Sequence, residues 1–346
     1  GYNLSGAINV PLGDNFAIRA SASTRRDAGY IDVPAFNIDG VNWAETNGVR
    51  VAALWRPSNA LSVKLHAFHQ DARSGGNSYT GPTLGAYATP GDLQQYSPPD
   101  SSGFRKKLTA ISGEIKANLG AAELTSLTAY VRNNTLFKTD VTPAFAAIAA
   151  SAVPGATGAR IFSPGTVTRF SEELRADIRL SEAIDWLIGG YYAKEKNDRI
   201  NYYQALDAAT GTVLGGRQAI GYLDYPSEYR ELSGFTDITF HITDQFDIQV
   251  GGRMAFMQTA LPDYAQGGPL FGAATSQGRS VVKNEAFTYL LTPTYRFNDD
   301  VMIYARFASG FRPGGPNLPA ATADPTVPRG YDPDRTFNYE IGSKGK

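Results

Sequence analysis

The sequence predicts an all-β protein: the wall of an antiparallel transmembrane β-barrel, with about 13 strands. Three observations predict it. Six very short polar turns of two to four residues alternate strictly with six long Gly-, Pro- and Tyr-rich connections of about 12–30 residues. The segments between them alternate apolar and polar residues with a period of two. One of the two faces so defined carries almost no charge, and the other is rich in Arg, Lys and Glu. A soluble sheet has no reason to sort its connections onto two sides, whereas a membrane-spanning barrel has two chemically different rims.

Taken in order, the short turns fall at Gly13-Asp14-Asn15, Pro57-Ser58-Asn59, Asn118-Leu119-Gly120, Ser181-Glu182-Ala183, Thr243-Asp244-Gln245 and Asn298-Asp299-Asp300. Asn, Asp, Gly and Ser suit such hairpins because they tolerate left-handed backbone or satisfy it locally. The long connections are read at 28–44, 74–103, 137–165, 205–226, 260–282 and 312–334. Helical periodicity is nearly absent, and the best candidate is Ala144–Ala152 inside the third connection. No apolar run approaches the length of a transmembrane helix.

Parity carries the strand assignment. In 173–180 the even positions Leu174, Ala176, Ile178 and Leu180 are apolar, and Glu173, Arg175, Asp177 and Arg179 are charged. Phe246, Ile248, Val250, Met254 and Phe256 alternate with Asp247, Gln249 and Arg253, and Val49, Val51, Ala53 and Trp55 alternate with Arg50 and Arg56. The apolar face is expected to meet lipid. Phe16, Trp55, Trp186, Phe246, Tyr295 and Phe297 cluster near the short turns, as an interfacial girdle does. The charged face is expected to line a lumen, with Arg19, Arg50, Lys64, Arg132, Arg175, Arg179, Arg253, Arg296 and Arg306 on it. These cations either attract an anionic cargo or pair with neighbouring carboxylates.

Composition excludes several functions. The net charge of −1 leaves no electrostatic footprint for nucleic acid. Without cysteine there is no disulfide scaffold and no thiolate metal site. His66 and His69 point to opposite faces of a strand and cannot share an ion without a bulge. No Ser/His/Asp set stands at legible spacing, so no catalytic residue, resident metal or cofactor is expected. The connections carry Tyr79, Tyr87, Tyr96, Tyr202, Tyr203 and Tyr264, whose flat apolar faces and hydroxyl tips suit ligand recognition or a bare external rim. Arg312, beside Pro313-Gly314-Gly315 at the end of a strand, is a further candidate contact.

Three stretches narrow the barrel type. Tyr304-Ala305-Arg306-Phe307-Ala308-Ser309-Gly310-Phe311-Arg312-Pro313-Gly314-Gly315-Pro316-Asn317 resembles the strand-to-loop signature of TonB-dependent outer-membrane receptors. Tyr331-Asp332-Pro333-Asp334 and Asn338-Tyr339-Glu340-Ile341-Gly342-Ser343-Lys344 resemble the segment that follows it in that family. Glu172 through Arg175, Trp186 through Tyr192 and Phe235 through Arg253 are similar to its mid-barrel hairpins. The resemblance implies a 22-stranded barrel with an N-terminal plug in its lumen, of which this chain would be a partial β-barrel domain over 1–346, strands 2 to 14, without plug or last strands. It implies a Gram-negative outer-membrane receptor, monomeric when intact. Its partners would be membrane lipid, a TonB complex acting through the plug and a small-molecule ligand such as a ferric siderophore. Vitamin B12, oligosaccharide or another nutrient is the alternative cargo. A passive porin or autotransporter-type barrel and a soluble all-β domain are the competing readings.

Overall fold

A computed structural model describes residues 1–78, 80, 93–318 and 326–345. Strands β1 (Tyr2–Pro11), β2 (Phe16–Asp27), β3 (Ala44–Ser58), β4 (Leu61–Ser74), β5 (Gly103–Asn118) and β6 (Ala122–Asp140) lead to helix α1 (Thr142–Ala152). After it come β7 (Gly158–Ser181), β8 (Ile184–Asp207), the short β9 (Thr212–Leu214) and β10 (Gly221–Asp224), β11 (Ser227–His241) and β12 (Phe246–Leu261). The chain closes with the short β13 (Tyr264–Gly268) and β14 (Gly272–Gln277), β15 (Ser280–Arg296), β16 (Val301–Arg312), the short pair β17 (Gly315–Pro316) and β18 (Gly330–Tyr331), and β19 (Asp334–Gly345). Among the described residues the 13 long strands form one continuous antiparallel meander, to which β9, β10, β13 and β14 add short flanking pairs.

The short turns stand where the sequence predicts them, at 12–15, 59–60, 119–121, 182–183, 242–245 and 297–300. The helix also forms, two residues longer at its start than Ala144–Ala152, with Pro143 in its first turn where a missing N–H is harmless. The third connection is shorter than predicted. The ladder continues through Asp140↔Arg160, so 137–165 contracts to 141–157, and β8 likewise runs through Tyr202 and Tyr203 to Asp207. The strict alternation of the lower wall is absent there, and polar residues such as Arg160 and Ser163 stand on both parities. Backbone pairing to β6 carries Ser163-Pro164-Gly165 there, helped by the Ser163 hydroxyl on Asn201 and the Thr135 hydroxyl on the Gly165 carbonyl.

Apart from one-residue shifts beside two turns, between Trp55 and Ser58 and between Arg179 and Ser181, hairpin register holds across the wall, so each side chain can be assigned a face. One cross-strand row runs Val63, Ile115, Ser126, Leu174, Gly190, Gly234, Met254, Phe287. Val63 lies three residues from its turn and Phe287 ten from its own. The row climbs about one residue per strand, which at about 3.3 Å rise and 4.8 Å spacing is a strand tilt of about 35°, the range of membrane barrels.

On the apolar face of β2 to β15, no residue nearer the turns than Glu172 and Lys194 is charged. Phe16 pairs with Trp55 and Phe246 with Tyr295 near the turns, and Phe170 meets Tyr192 at the far edge. Phe246 and Phe256 lie ten residues apart on one strand. That is about 33 Å along it, or about 27 Å of height after the tilt, close to the roughly 25 Å of a barrel's apolar band. One expected face needs correction. Arg132 pairs with Thr109 and Thr168, in the row of His69, and so stands on the apolar side rather than with the other cations. It lies above the band, where polar residues occupy both parities.

Candidate functional site

The charged face is a ladder of partners. Lys64 meets Glu114 at 2.7 Å, Lys116 meets Glu123 at 2.8 Å, and Arg175 lies between Glu173 and Asp177 at 3.3 and 3.6 Å. Arg50 reaches His66 Nδ1 at 3.3 Å, and Arg296 pairs with Asp247 near the turns, where His241 bridges Asp247 and Asp185. Arg19, Arg179 and Arg306 share this face by register and make no ion pair among the described residues. His69 bonds Thr109 on the opposite side from His66, so the two histidines do not converge. Among the described residues no group of three or more His, Cys, Asp or Glu could hold a metal.

The densest knot lies higher, where β7, β8, β11 and β12 meet. Arg253 donates to Glu231 Oε1 at 2.5 Å and to Ser233 Oγ at 2.9 Å, and Tyr229 donates to Glu231 Oε2 at 2.7 Å. The same guanidinium stacks 5.0 Å from the centre of the Tyr191 ring, whose hydroxyl accepts from Arg169 at 2.9 Å. Sequence reasoning found Arg253 but missed Glu231, Arg169 and Tyr191. Folding the chain about Asp244 would have placed Glu231 on the same face as Arg253, four residues along from its direct partner Phe235.

Above this knot the connections form a crown with its own interior. Ala149 of α1 and Val153 just past its end pack with Ala159, Ala205 and Ile220, and Tyr203 lies edge-on to Phe145 and Phe271 at 5.9 and 5.2 Å. Leu270 N–H donates to the Ile220 carbonyl, so three successive connections share this core. The left-handed Gly211 abuts Pro99, where a Cβ would come within 2.0 Å of a carbonyl oxygen. Arg160, buried on the crown's other side, donates to Gln204 Oε1 at 2.9 Å and to Asp100 Oδ2 at 2.9 Å. Burial opposes ionisation of Asp100, but Lys138 and Arg160 outweigh it and hold the carboxyl below its ordinary range. Burial pushes the Tyr203 phenol up, and it pushes the Asp140 carboxyl up against the Thr142 bonds.

The expected contact tyrosines separate here. Tyr79 and Tyr87 lie outside the described residues. Tyr96 is exposed, Tyr203 is part of the crown core, and Tyr264 is only 2% exposed, donating to Gln266. Tyr202 and Tyr203 belong to β8 rather than to a loop, and Arg217 covers the Tyr202 ring at 5.2 Å. Arg312 pairs with Asp334 across β16 and β19, both exposed.

Residues 55–346 match the family model of the TonB dependent receptor-like β-barrel. The chain belongs to the TonB-dependent receptor β-barrel family. Members of this family are outer-membrane proteins of Gram-negative bacteria, receptors and transporters rather than enzymes. The pesticin receptor of Yersinia pestis is 28% identical over 175 residues, which are 50% of this chain and 24% of that protein. The crystal structure of the ferric yersiniabactin uptake receptor FyuA from Yersinia pestis superposes with a TM-score of 0.74 at 16% identity, over 100% of this chain and 50% of that one. The siderophore receptor PiuA from Acinetobacter baumannii does so with a TM-score of 0.73 at 12% identity, over 99% and 52%. The TonB-dependent receptor barrel described here thus spans about half of the solved receptors it matches.

Proposed function

We propose that this chain is barrel wall from an outer-membrane receptor that imports a scarce ligand with energy delivered by TonB, and that the ligand is an iron–siderophore complex. The reading makes the apolar face lipid-facing and the charged face lumenal, around a plug carried by the intact monomer. The observation that carries it is the clean division of the wall between a charge-free apolar band and a face dense in paired charges. A plugged lumen explains that division, because polar walls packed against a polar plug must be paired. Lys64, Arg175, Arg253 and Arg296 are already matched by carboxylates, so these cations serve this packing before they serve a cargo.

Siderophore cargo draws support from the functions of similar proteins, which include receptors for ferric yersiniabactin and siderophores and a ferric citrate transporter. An aromatic and cationic upper face suits an anionic ferric chelate: Arg169, Tyr191 and Arg253 sit below the crown. The test uses the intact receptor in cells lacking their own uptake systems, with radiolabelled iron supplied on a panel of siderophores. Energy-dependent accumulation with at least one chelate is expected. Uptake of labelled cobalamin or oligosaccharide instead would reassign the cargo. Large steady single-channel currents in a planar bilayer would replace the receptor reading with a passive porin.

A further inference from the structure

We infer that the far rim of the apolar face holds a binding site for the phosphate of a lipid headgroup, formed by Lys194, Arg230 and Lys283. This rests on the reading of that face as the lipid-facing one. Along one register row Lys194 of β8 stands opposite Arg230 of β11, Arg230 opposite Gln258 of β12, and Gln258 opposite Lys283 of β15. Parity places all four on the apolar side, in the same alternation as Tyr192, Leu232 and Phe256 one row nearer the turns.

Folding alone does not explain this row. Directly opposed residues hold their Cβ atoms about 5 Å apart, and like charges so placed repel. None of the three cations makes a salt bridge to a carboxylate among the described residues. The nearby Glu228 is taken by Arg279 at 2.9 Å and Lys196 at 3.6 Å, and Glu172 is bonded by Ser126 and Thr128. Glu285 lies one row nearer the turns, opposite Phe256, and is the one carboxylate left beside the row. Elsewhere along the rim Arg26 and Arg73 are matched to Glu45 and Arg105 to Asp71, while Lys107 and Arg132 stand singly, without a second cation directly opposite.

The shape fits the same occupant. Arg230, Gln258 and Lys283 line a groove with Tyr192, Leu232 and Phe256. Leu232 and Phe256 are 61% and 54% exposed. Cations therefore sit immediately above an open apolar surface, the order in which a lipid presents its phosphate and its acyl chains. A soluble anion would use the cations but leave the apolar step idle. A lipid uses both.

The test takes the full-length receptor in vesicles of phosphatidylcholine with increasing phosphatidylglycerol, and counts retained lipids by native mass spectrometry after extraction. Preferential retention of phosphatidylglycerol is expected. Lys194→Gln, Arg230→Gln and Lys283→Gln should each weaken it about fivefold, and the triple variant on the order of a hundredfold. Lys194→Arg should keep it. Heat-modifiable migration establishes that each variant is folded, and the single variants stand in if the triple one is not. Unchanged retention in a folded triple variant overturns the site, as does displacement of the lipid by inorganic phosphate, which would make the row a free-anion site. A second arm reads the face itself, through quenching of a Phe256→Trp probe by brominated acyl chains. Quenching without loss in the triple variant condemns the site alone. No quenching condemns the face assignment and the site with it.

Discussion

Val250, midway up the wall, and Ala205, in the crown above it, are both small apolar residues on long strands. Val250 is 44% exposed and Ala205 is fully buried. The wall has no interior of its own at Val250's level: its strands are joined by backbone ladders, and in the proposed orientation its apolar side chains find their partners in lipid. The crown behaves as a small soluble protein, with an aliphatic and aromatic core under α1 and a buried arginine tying one connection to the next. The same chain solves burial twice, once by recruiting its solvent and once by packing against itself.

This comparison can be broken by substitutions that strike one region and spare the other. The largest effect is expected from Val250→Arg, which puts a charge into the apolar band at a cost of about 2–4 kcal/mol. Urea unfolding of the intact receptor in vesicles should show the loss, with protease protection of the crown unchanged per folded molecule. Arg160→Met should reverse that pattern. It leaves Gln204 without its charged donor and Asp100 with Lys138 alone, at a cost of about 1–3 kcal/mol, and should expose the 93–102 and 208–220 connections to protease while the heat-modifiable band persists. A uniform loss of both signals in either variant would mean that wall and crown unfold as one unit.

The smallest effect is a matter of pH. The Asp100 carboxyl is depressed in the folded crown, so its pairing contributes stability that is present above the unfolded value of about 3.9 and is lost as pH falls through the folded value. Asp140 works in the opposite sense. Burial raises its carboxyl, so it favours the folded crown most when protonated and opposes it once ionised. Acid should therefore loosen the crown of the Asp140→Asn variant more steeply than that of Asp100→Asn, measured as protease sensitivity between neutral pH and about pH 3.

The wall could be read from the sequence because lipid imposes a period of two. Phe246 through Phe256 announces a strand, a face and a span in eleven residues. The turns were legible for a similar reason, since Thr243 or Asn298 marks a position where the backbone needs a particular side chain. Arg132 marks the limit. Two residues above Tyr130 the pressure that sorts side chains ends, and parity no longer distinguishes the sides. The crown was harder still. That Tyr203 would be packed and Tyr96 exposed depends on which connections lean on one another, and Arg160 finds Asp100 across 60 positions of sequence. The knot at Glu231 lies between these cases, because hairpin symmetry contains it but composition does not.

The one-residue climb of the register from strand to strand has a consequence for assembly. Hydrogen-bonded partners never stand at quite the same depth, so the wall is a ramp rather than a stack of level rings. A slip of one residue would turn every side chain to the wrong face. A slip of two would preserve the faces, and alternation gives no protection against it. The charged rim does: a two-residue descent of β8 would draw Lys194 to the level of Tyr192, and a matching slip of β11 would draw Arg230 to that of Leu232. The rim thus acts as a depth stop, letting a strand seat itself at one height and rejecting the next.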